Sequence, residues 1–239
     1  MTTAAAGLQR RRITFVAPTP LARAAFGVVA LAGIAGMAIS LTLTVTDPGS
    51  FPPADRGLFG ESDTVGRLAD WFSYFTHWSL ILVVLVSAHL ALRPSAPSRH
   101  HRVLLFDALL MISVTGIVYA VVLAPVAPPM EGWELLSNAL QHYVTPPLAV
   151  LAFIAFGPRR WLERGLIPAA LVIPIAWLAF TYARGAIIDA YPYGFINVVE
   201  LGYPMALVNT LAIVVFGIAI CFVLIGIDRV MQRWGPAPV

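Results

Sequence analysis

Lysine is absent from this sequence, and charged residues of any kind are scarce. Charged side chains make up 11% of the residues and hydrophobic ones 59%. A soluble domain carries about 25% charged residues, so the composition excludes a soluble globular protein and indicates that lipid surrounds most of the chain. The use of 15 arginines with no lysine is typical of a GC-rich bacterial gene.

Cysteine is nearly absent, and no cluster of metal-binding residues stands out. Cys221 is the single cysteine, which excludes a disulfide within the chain and fits a small buried hydrophobe. His100 and His101 lie in an arginine-bearing loop and belong to its solvated surface, so we expect no metal site and no cofactor. The formal net charge is only +3, with basic residues near the ends of apolar stretches, so we predict no nucleic-acid partner.

Six apolar stretches are long enough to cross a hydrocarbon core, which takes about 20 helical residues. They lack the alternation of a barrel strand, and only helices or closed barrels satisfy their backbone groups in lipid. We therefore predict an all-α polytopic membrane protein with six transmembrane helices, forming a domain at 23–228 between tails at 1–22 and 229–239. The stretches are 23–46, 68–92, 103–124, 137–157, 166–183 and 205–227.

The arginines predict the orientation of the chain. Twelve of the 15 lie in the N-terminal segment up to Arg23, in the C-terminal tail and in the second and fourth loops, and three lie in the other loops. Because cytoplasmic loops hold the excess of basic residues, we predict cytoplasmic N- and C-termini in the bacterial cytoplasmic membrane. A cleaved signal peptide is the alternative for the first helix, but this helix is long and follows more than 20 residues of tail.

Small residues recur along the first helix. Ala32, Gly36 and Ser40 are spaced four apart, so they share one face and let another helix approach closely. Packing within the bundle is the first interpretation. Formation of a homo-oligomer through this face is the alternative.

Polar residues concentrate in two of the predicted helices, at 70–79 and 138–145. Such groups are costly inside a membrane and mark candidate functional sites. From the same membrane face, Thr76 lies roughly 12 Å deep and His142 about 8 or 9 Å deep, so the two can meet. A hydroxyl beside an imidazole predicts a nucleophile activated by a general base. In the alternatives, the Thr76 hydroxyl bonds back to the carbonyl of residue 72 or 73, and His142 is a packing group.

Prolines interrupt helices four and five. Pro146 has no N–H and follows His142 by four residues, so the His142 carbonyl loses its helical partner. We expect a kink there, with free acceptors beside the histidine. Pro168 and Pro174 predict bends in helix five.

Further side chains near these positions are candidates for the pocket. His77 points away from Thr76 around the helix and either orients a substrate, pairs with Asp70, or caps an outer polar belt. The hydroxyls of Ser73 and Tyr143 are candidate donors to an oxyanion.

The segment 191–197 after helix five is polar and rich in turn residues. Tyr191 is either an interfacial anchor or part of an outer lid over the pocket. In the lid interpretation Asn197 supplies a hydrogen bond and Glu200 a charge at the rim.

Four short motifs resemble those of the bacterial Pr6Pr family of membrane proteins, which are similar to the animal androgen-induced-gene-1 and ADTRP proteins. The resemblance implies a six-span hydrolase of fatty acid esters of hydroxy fatty acids. It also implies that Thr76 is the nucleophile and His142 its partner. The chain departs from the family pattern at Gly194 and Asn197. The motifs are 72–79, 141–146, 157–158 and 191–193.

These observations predict an intramembrane threonine hydrolase that takes a lipid ester from the bilayer and needs no cofactor. One alternative is a lipid-binding or transport protein that uses the same pocket without chemistry. The other is a haem protein in which His77 or His89 pairs with His142.

Overall fold

The computed structural model describes residues 19–46, 64–92 and 98–232. Regular structure within these ranges is helical, and six stretches are long and apolar enough to cross a membrane. The prediction of an all-α protein with six membrane spans is therefore confirmed. Much of both predicted tails, including 1–18 and 233–239, lies outside the described residues.

The spans are built from helices of unequal length. The first span is α1, the second is α3, which follows the short α2, and the third is α4, which continues through turns to Val126. The fourth span combines α5 and α6, the fifth combines α7 and α8, and the sixth is α9. Their bounds are α1 Pro20–Thr46, α2 Thr64–Ser73, α3 Phe75–Leu92, α4 Arg99–Val118, α5 Gly132–Asn138, α6 Thr145–Phe156, α7 Ile167–Ala170, α8 Val172–Ile188 and α9 Val198–Met231.

The spans alternate in direction, so the bundle has two distinct ends. One end carries the connections 127–131 and 189–197, and we call it the upper end. The other carries the connections around Ser98 and 157–163, and we call it the lower end. Which end faces the cytoplasm stays a prediction from the placement of the arginines.

The small-residue face of α1 packs inside the bundle. Gly36 and Ser40 are buried, and a Cβ atom at Gly36 would lie only 2.9 Å from Cγ of Gln141. The Gly36 carbonyl accepts hydrogen bonds from Ser137 Oγ at 3.0 Å and Gln141 Nε2 at 3.2 Å. The close approach therefore joins α1 to the fourth span, and a homo-oligomer stays a prediction.

The lower half of the bundle holds an apolar core between α4, α6 and α9. Phe106, Leu110 and Phe153 are fully buried there. Because lipid tails are as apolar as these side chains, close packing rather than exclusion from water stabilises this region. The fully buried Asp228 accepts hydrogen bonds from the backbone N–H groups of residues 160 and 162, both at 3.0 Å, and so anchors the lower connection to α9.

Interruptions fall near the predicted prolines. A π-helical turn, Ala139–Val144, precedes Pro146 at the start of α6, so the regular α-helix is interrupted beside His142, while the kink itself stays a prediction. Helix five bends at Leu171, between α7 and α8, while Pro174 lies in the first turn of α8 and leaves that helix intact.

The prediction of one continuous helix at 68–92 was wrong. The structure breaks it at Tyr74, between α2 and α3. The reason lies in the side chains around the break, which also shape the candidate site.

Candidate functional site

The side chains of Thr76 and His142 meet in the upper half of the bundle. Thr76 Oγ1 lies 3.2 Å from His142 Nε2, and Thr76 is only 6% exposed. His142 Nδ1 lies 3.2 Å from the carbonyl oxygen of Asn138. Because that carbonyl can only accept, Nδ1 carries the proton and Nε2 accepts from the Thr76 hydroxyl. The imidazole is thus oriented to receive the threonine proton.

Two π-helical turns position the histidine. His142 lies on the turn Ala139–Val144, and Tyr119 begins a second such turn that continues α4. The two rings stack with centroids 3.9 Å apart and an angle of 18° between their planes. Asn138 Nδ2 donates to the Tyr119 hydroxyl at 2.6 Å. The His142 ring therefore contacts Tyr119 on one of its faces and has a partner at each ring nitrogen, which leaves the ring little freedom to turn.

Thr76 lies on the first turn of α3, immediately after the break at Tyr74. In a continuous helix, the carbonyls of residues 71, 72 and 73 would accept from the N–H groups of residues 75, 76 and 77. Side-chain donors take all three carbonyls instead, which explains the break. The donors are His77 Nδ1 to residue 71, Trp78 Nε1 to residue 72 at 2.8 Å, and Trp177 Nε1 to residue 73 at 2.9 Å.

The break also changes the environment of Thr76. Its hydroxyl bonds to His142, and not back to a carbonyl of α2 as the structural alternative requires. The N–H groups of Phe75 and Thr76 lose their helical acceptors and open the N-terminus of α3 toward the site.

His77 belongs to a separate network next to the pair. Its Nε2 lies 3.3 Å from Ser40 Oγ, which also accepts from Trp71 Nε1 at 2.8 Å. Its ring stacks on Trp71 with centroids 3.8 Å apart. The proposed pairing of His77 with Asp70 was wrong, because Asp70 forms an ion pair with Arg184 of α8 at 2.5 Å. His77 is 3% exposed, so it does not cap an outer belt.

The candidate oxyanion donors Ser73 and Tyr143 lie away from the pair. Ser73 Oγ donates to the carbonyl of Ala69 at 2.8 Å. Tyr143 is 52% exposed on the outer surface of the bundle. The lining of the two cavities described below includes neither side chain.

Tyr191 and Asn197 also have structural positions. Tyr191 is 2% exposed and packs directly on Gly185 of α8. Asn197 caps α9 by accepting from the N–H of Val199 at 3.1 Å. Neither lines the cavities, but other residues of the segment 191–197 do, so this segment covers the site as the lid interpretation expects.

Two cavities meet at Thr76. The first is apolar and lies between α3, α4, α8 and α9, with Leu110 and Gly217 at its deep end. The second is more polar, is lined by His142 and reaches the upper end at residues 127–130. Both cavities are lined by Thr76, Tyr119, Leu123 and Tyr193.

Tyr193 is a site residue that the sequence argument missed. Its hydroxyl interacts with the Thr76 side chain and with the backbone of Phe75 and Thr76. Burial raises the pKa of Tyr193 to about 12, so the hydroxyl keeps its proton at neutral pH. Its place in the turn-rich segment 191–197 pointed to this region but not to this side chain.

Asp107 was missed as well, although an acidic residue within an apolar span is a signal by itself. It is 1% exposed in α4, and its Oδ1 atom has no hydrogen-bond partner among the described residues. It lines neither cavity, so it is not part of the site.

The described ranges contain no group of three or more His, Cys, Asp or Glu side chains that could hold a metal ion. His89 stacks on His101 near the lower end, with centroids 4.5 Å apart, and does not face His142. Comparison with protein-family models, curated proteins and solved structures found no match to this chain.

Proposed function

We propose that this protein is an intramembrane threonine hydrolase that cleaves lipid esters, with fatty acid esters of hydroxy fatty acids as the leading substrate class. One observation carries the proposal: Thr76 Oγ1 meets an imidazole nitrogen whose opposite nitrogen is held by a backbone carbonyl, at the junction of two cavities. A nucleophile, a base and a group that orients the base are the parts that acyl transfer requires.

The chemistry takes two steps. In the first, His142 Nε2 takes the hydroxyl proton while Thr76 Oγ1 attacks the ester carbonyl carbon. The bond from that carbon to the alcohol oxygen breaks, and the alcohol leaves with the proton from His142, so an acyl-threonine remains. In the second, His142 takes a proton from water, whose oxygen attacks the acyl carbon. The Thr76 oxygen leaves with that proton, and a carboxylic acid is released.

The shapes of the cavities support a long acyl group and a second, more polar part of the substrate. The acyl chain occupies the apolar cavity, and the alcohol part occupies the cavity at the upper end. Ile175 of α8 lines the apolar cavity and is 52% exposed on the surface of the bundle. In this proposal a lipid enters sideways from the bilayer beside Ile175.

The resemblance of the motifs to the Pr6Pr family and its animal relatives supports the same assignment of Thr76 and His142. It is independent of the distance between these residues. The resemblance also favours an ester of a hydroxy fatty acid, whose alcohol carbon is branched.

The test is hydrolysis of a branched fatty-acid ester by the purified protein in detergent, together with labelling by a fluorophosphonate. Thr76→Val keeps the shape of the side chain but removes the nucleophile, and His142→Gln removes the base. Both variants are expected to lose turnover by at least about a thousandfold while keeping the melting temperature, because the residues of such a unit act together. Wild-type activity in either variant would refute the proposed chemistry.

Thr181→Val is the matched control. Thr181 is 3% exposed in α8, lines neither cavity, and its hydroxyl has no hydrogen-bond partner among the described residues. This variant is expected to keep both turnover and labelling.

The binding alternative has its own result in the same assay. A wild-type protein that binds the ester, does not hydrolyse it and does not label would be a lipid-binding or transport protein. An absorbance spectrum of the same sample tests the haem alternative, because a Soret band would indicate bound haem.

A further inference from the structure

We infer that the Tyr193 hydroxyl and the backbone N–H groups of Phe75 and Thr76 form the oxyanion hole of this site. This inference rests on the proposed hydrolase function. It adds a catalytic residue, Tyr193, which would touch the reacting carbonyl oxygen.

The first support is the origin of the two amide donors. At the start of α3 they do not bond to their helical acceptors, the carbonyls of residues 71 and 72, which instead accept from the side chains of His77 and Trp78. One of the two donors belongs to the nucleophile itself. When Thr76 Oγ1 attacks the ester carbon, the carbonyl oxygen on that carbon therefore lies within reach of the N–H of Thr76.

The second support is the position of the phenol. Tyr193 comes from a different part of the chain, yet it lines both cavities together with Thr76, and its hydroxyl interacts with the Thr76 side chain. In the free protein the phenol oxygen also interacts with the two backbone groups, so an oxygen can reach them from the cavities. A substrate carbonyl oxygen would take over the two amides from the phenol oxygen and accept a third hydrogen bond from the phenol O–H.

The third support is the rigidity of the ring. Tyr193 is 9% exposed and lies edge-on to Tyr74 at 5.6 Å, while Phe195 stacks on it at 5.2 Å. Trp177, whose indole N–H donates to the carbonyl of Ser73 in the broken turn, packs beside the Tyr193 ring with centroids 6.0 Å apart. Trp177 thus contacts both the broken turn, at the carbonyl of Ser73, and the ring of Tyr193, which ties the phenol to the segment that carries the two amides.

The role in the reaction follows from the charge. When the Thr76 oxygen attacks, the electron pair of the carbonyl double bond moves to the substrate oxygen, which becomes an alkoxide. The alkoxide accepts hydrogen bonds and takes no proton from Tyr193. When the pair returns, the bond to the leaving alcohol breaks. Donors fixed in advance at the developing charge stabilise this intermediate more than the ground-state ester.

The test is Tyr193→Phe, which keeps the aromatic contacts and removes only the donor. The control is Tyr191→Phe, a buried tyrosine two residues away that lines neither cavity. In Tyr193→Phe we expect kcat to fall by about a hundredfold to a thousandfold with little change in KM, as for other oxyanion donors. The rate of fluorophosphonate labelling should fall in parallel, because the phosphonyl oxygen uses the same donors. Tyr191→Phe should stay within about threefold of the wild type.

The outcomes separate this inference from the function on which it rests. If the wild type is active, Thr76→Val is inactive and Tyr193→Phe keeps its kcat, the oxyanion assignment is refuted and the hydrolase stands. If Tyr193→Phe raises only KM, Tyr193 binds substrate and the assignment is also refuted. If Thr76→Val retains activity, both proposals fall.

Discussion

The depth of the apolar cavity predicts a limit on acyl-chain length that can be moved by one substitution. Gly217 lines its deep end, and a Cβ atom there would meet Leu110 Cδ1 at 3.8 Å, an ordinary contact. Ser79 lies one turn below Thr76, toward the lower end, and bonds Thr115 of α4. Leu110 lies five residues before Thr115 in α4, which is also toward the lower end. At the helical rise, Gly217 is therefore roughly 12 Å deeper than Thr76.

A larger side chain at Gly217 should shorten the acyl chain that fits. Relative to water, each buried methylene contributes about 0.8 kcal/mol, so each one left in water instead of the cavity should cost about fourfold in kcat/KM. Gly217→Ala displaces about one methylene, and Gly217→Leu displaces two or three, which amounts to about 2 kcal/mol or roughly thirtyfold for the longest chains. Short esters should be cleaved as by the wild type.

The assay is kcat/KM for a series of p-nitrophenyl esters from butyrate to palmitate. The wild-type values should rise with length and then level off, and the Gly217→Leu values should level off earlier. Gly226→Leu is the control, because Gly226 lies on the same helix with open space around its Cβ position and lines neither cavity. A Gly217→Leu protein whose profile matches the wild type at every length would refute the assignment of this cavity to the acyl chain.

Two further substitutions test the packing that holds the site. In Gly185→Ala, the new Cβ atom would lie within 2.2 Å of the Tyr191 ring. We therefore expect a loss of about 1–3 kcal/mol in unfolding free energy and reduced turnover. Gly194→Ala is the control and should be neutral, since its Cβ position is open. In Arg184→Met, the mostly buried ion pair with Asp70 is lost, which should destabilise the protein by about 3–5 kcal/mol. Thermal unfolding in detergent measures both effects, and an unchanged melting temperature in either Gly185→Ala or Arg184→Met would contradict the corresponding expectation.

The sequence was sufficient for the membrane spans, and it placed two particular side chains at depths where they could meet. Apolar length identifies a span without any tertiary information, because lipid imposes it on each helix separately. The distance of Thr76 and His142 from the predicted membrane surface then placed them at similar depths. That estimate needed only the helical rise, and the observed distance of 3.2 Å agrees with it.

The pocket residues depended on tertiary contacts that no local pattern encodes. The break at Tyr74 arises partly from Trp177, which is about 100 residues away and donates to Ser73. The π-helical turn Ala139–Val144 alters the angular spacing of side chains in the fourth span, and Tyr143 faces outward beside an inward His142. Ser73 and Tyr143 were candidates because their hydroxyls lie near Thr76 and His142 in the sequence, and that proximity does not tell which side chains face the cavities.

The meeting of the two cavities at one hydroxyl has a kinetic consequence for the proposed reaction. The acyl chain stays in the apolar cavity while it is bound to Thr76, and the alcohol fills the cavity that holds His142. Water has to occupy the place of that alcohol before it can attack. The two products are then released in a compulsory order, alcohol before fatty acid, and added alcohol would compete with water for the acyl group. Such an enzyme would exchange one alcohol for another whenever lipid alcohols outnumber water at the site.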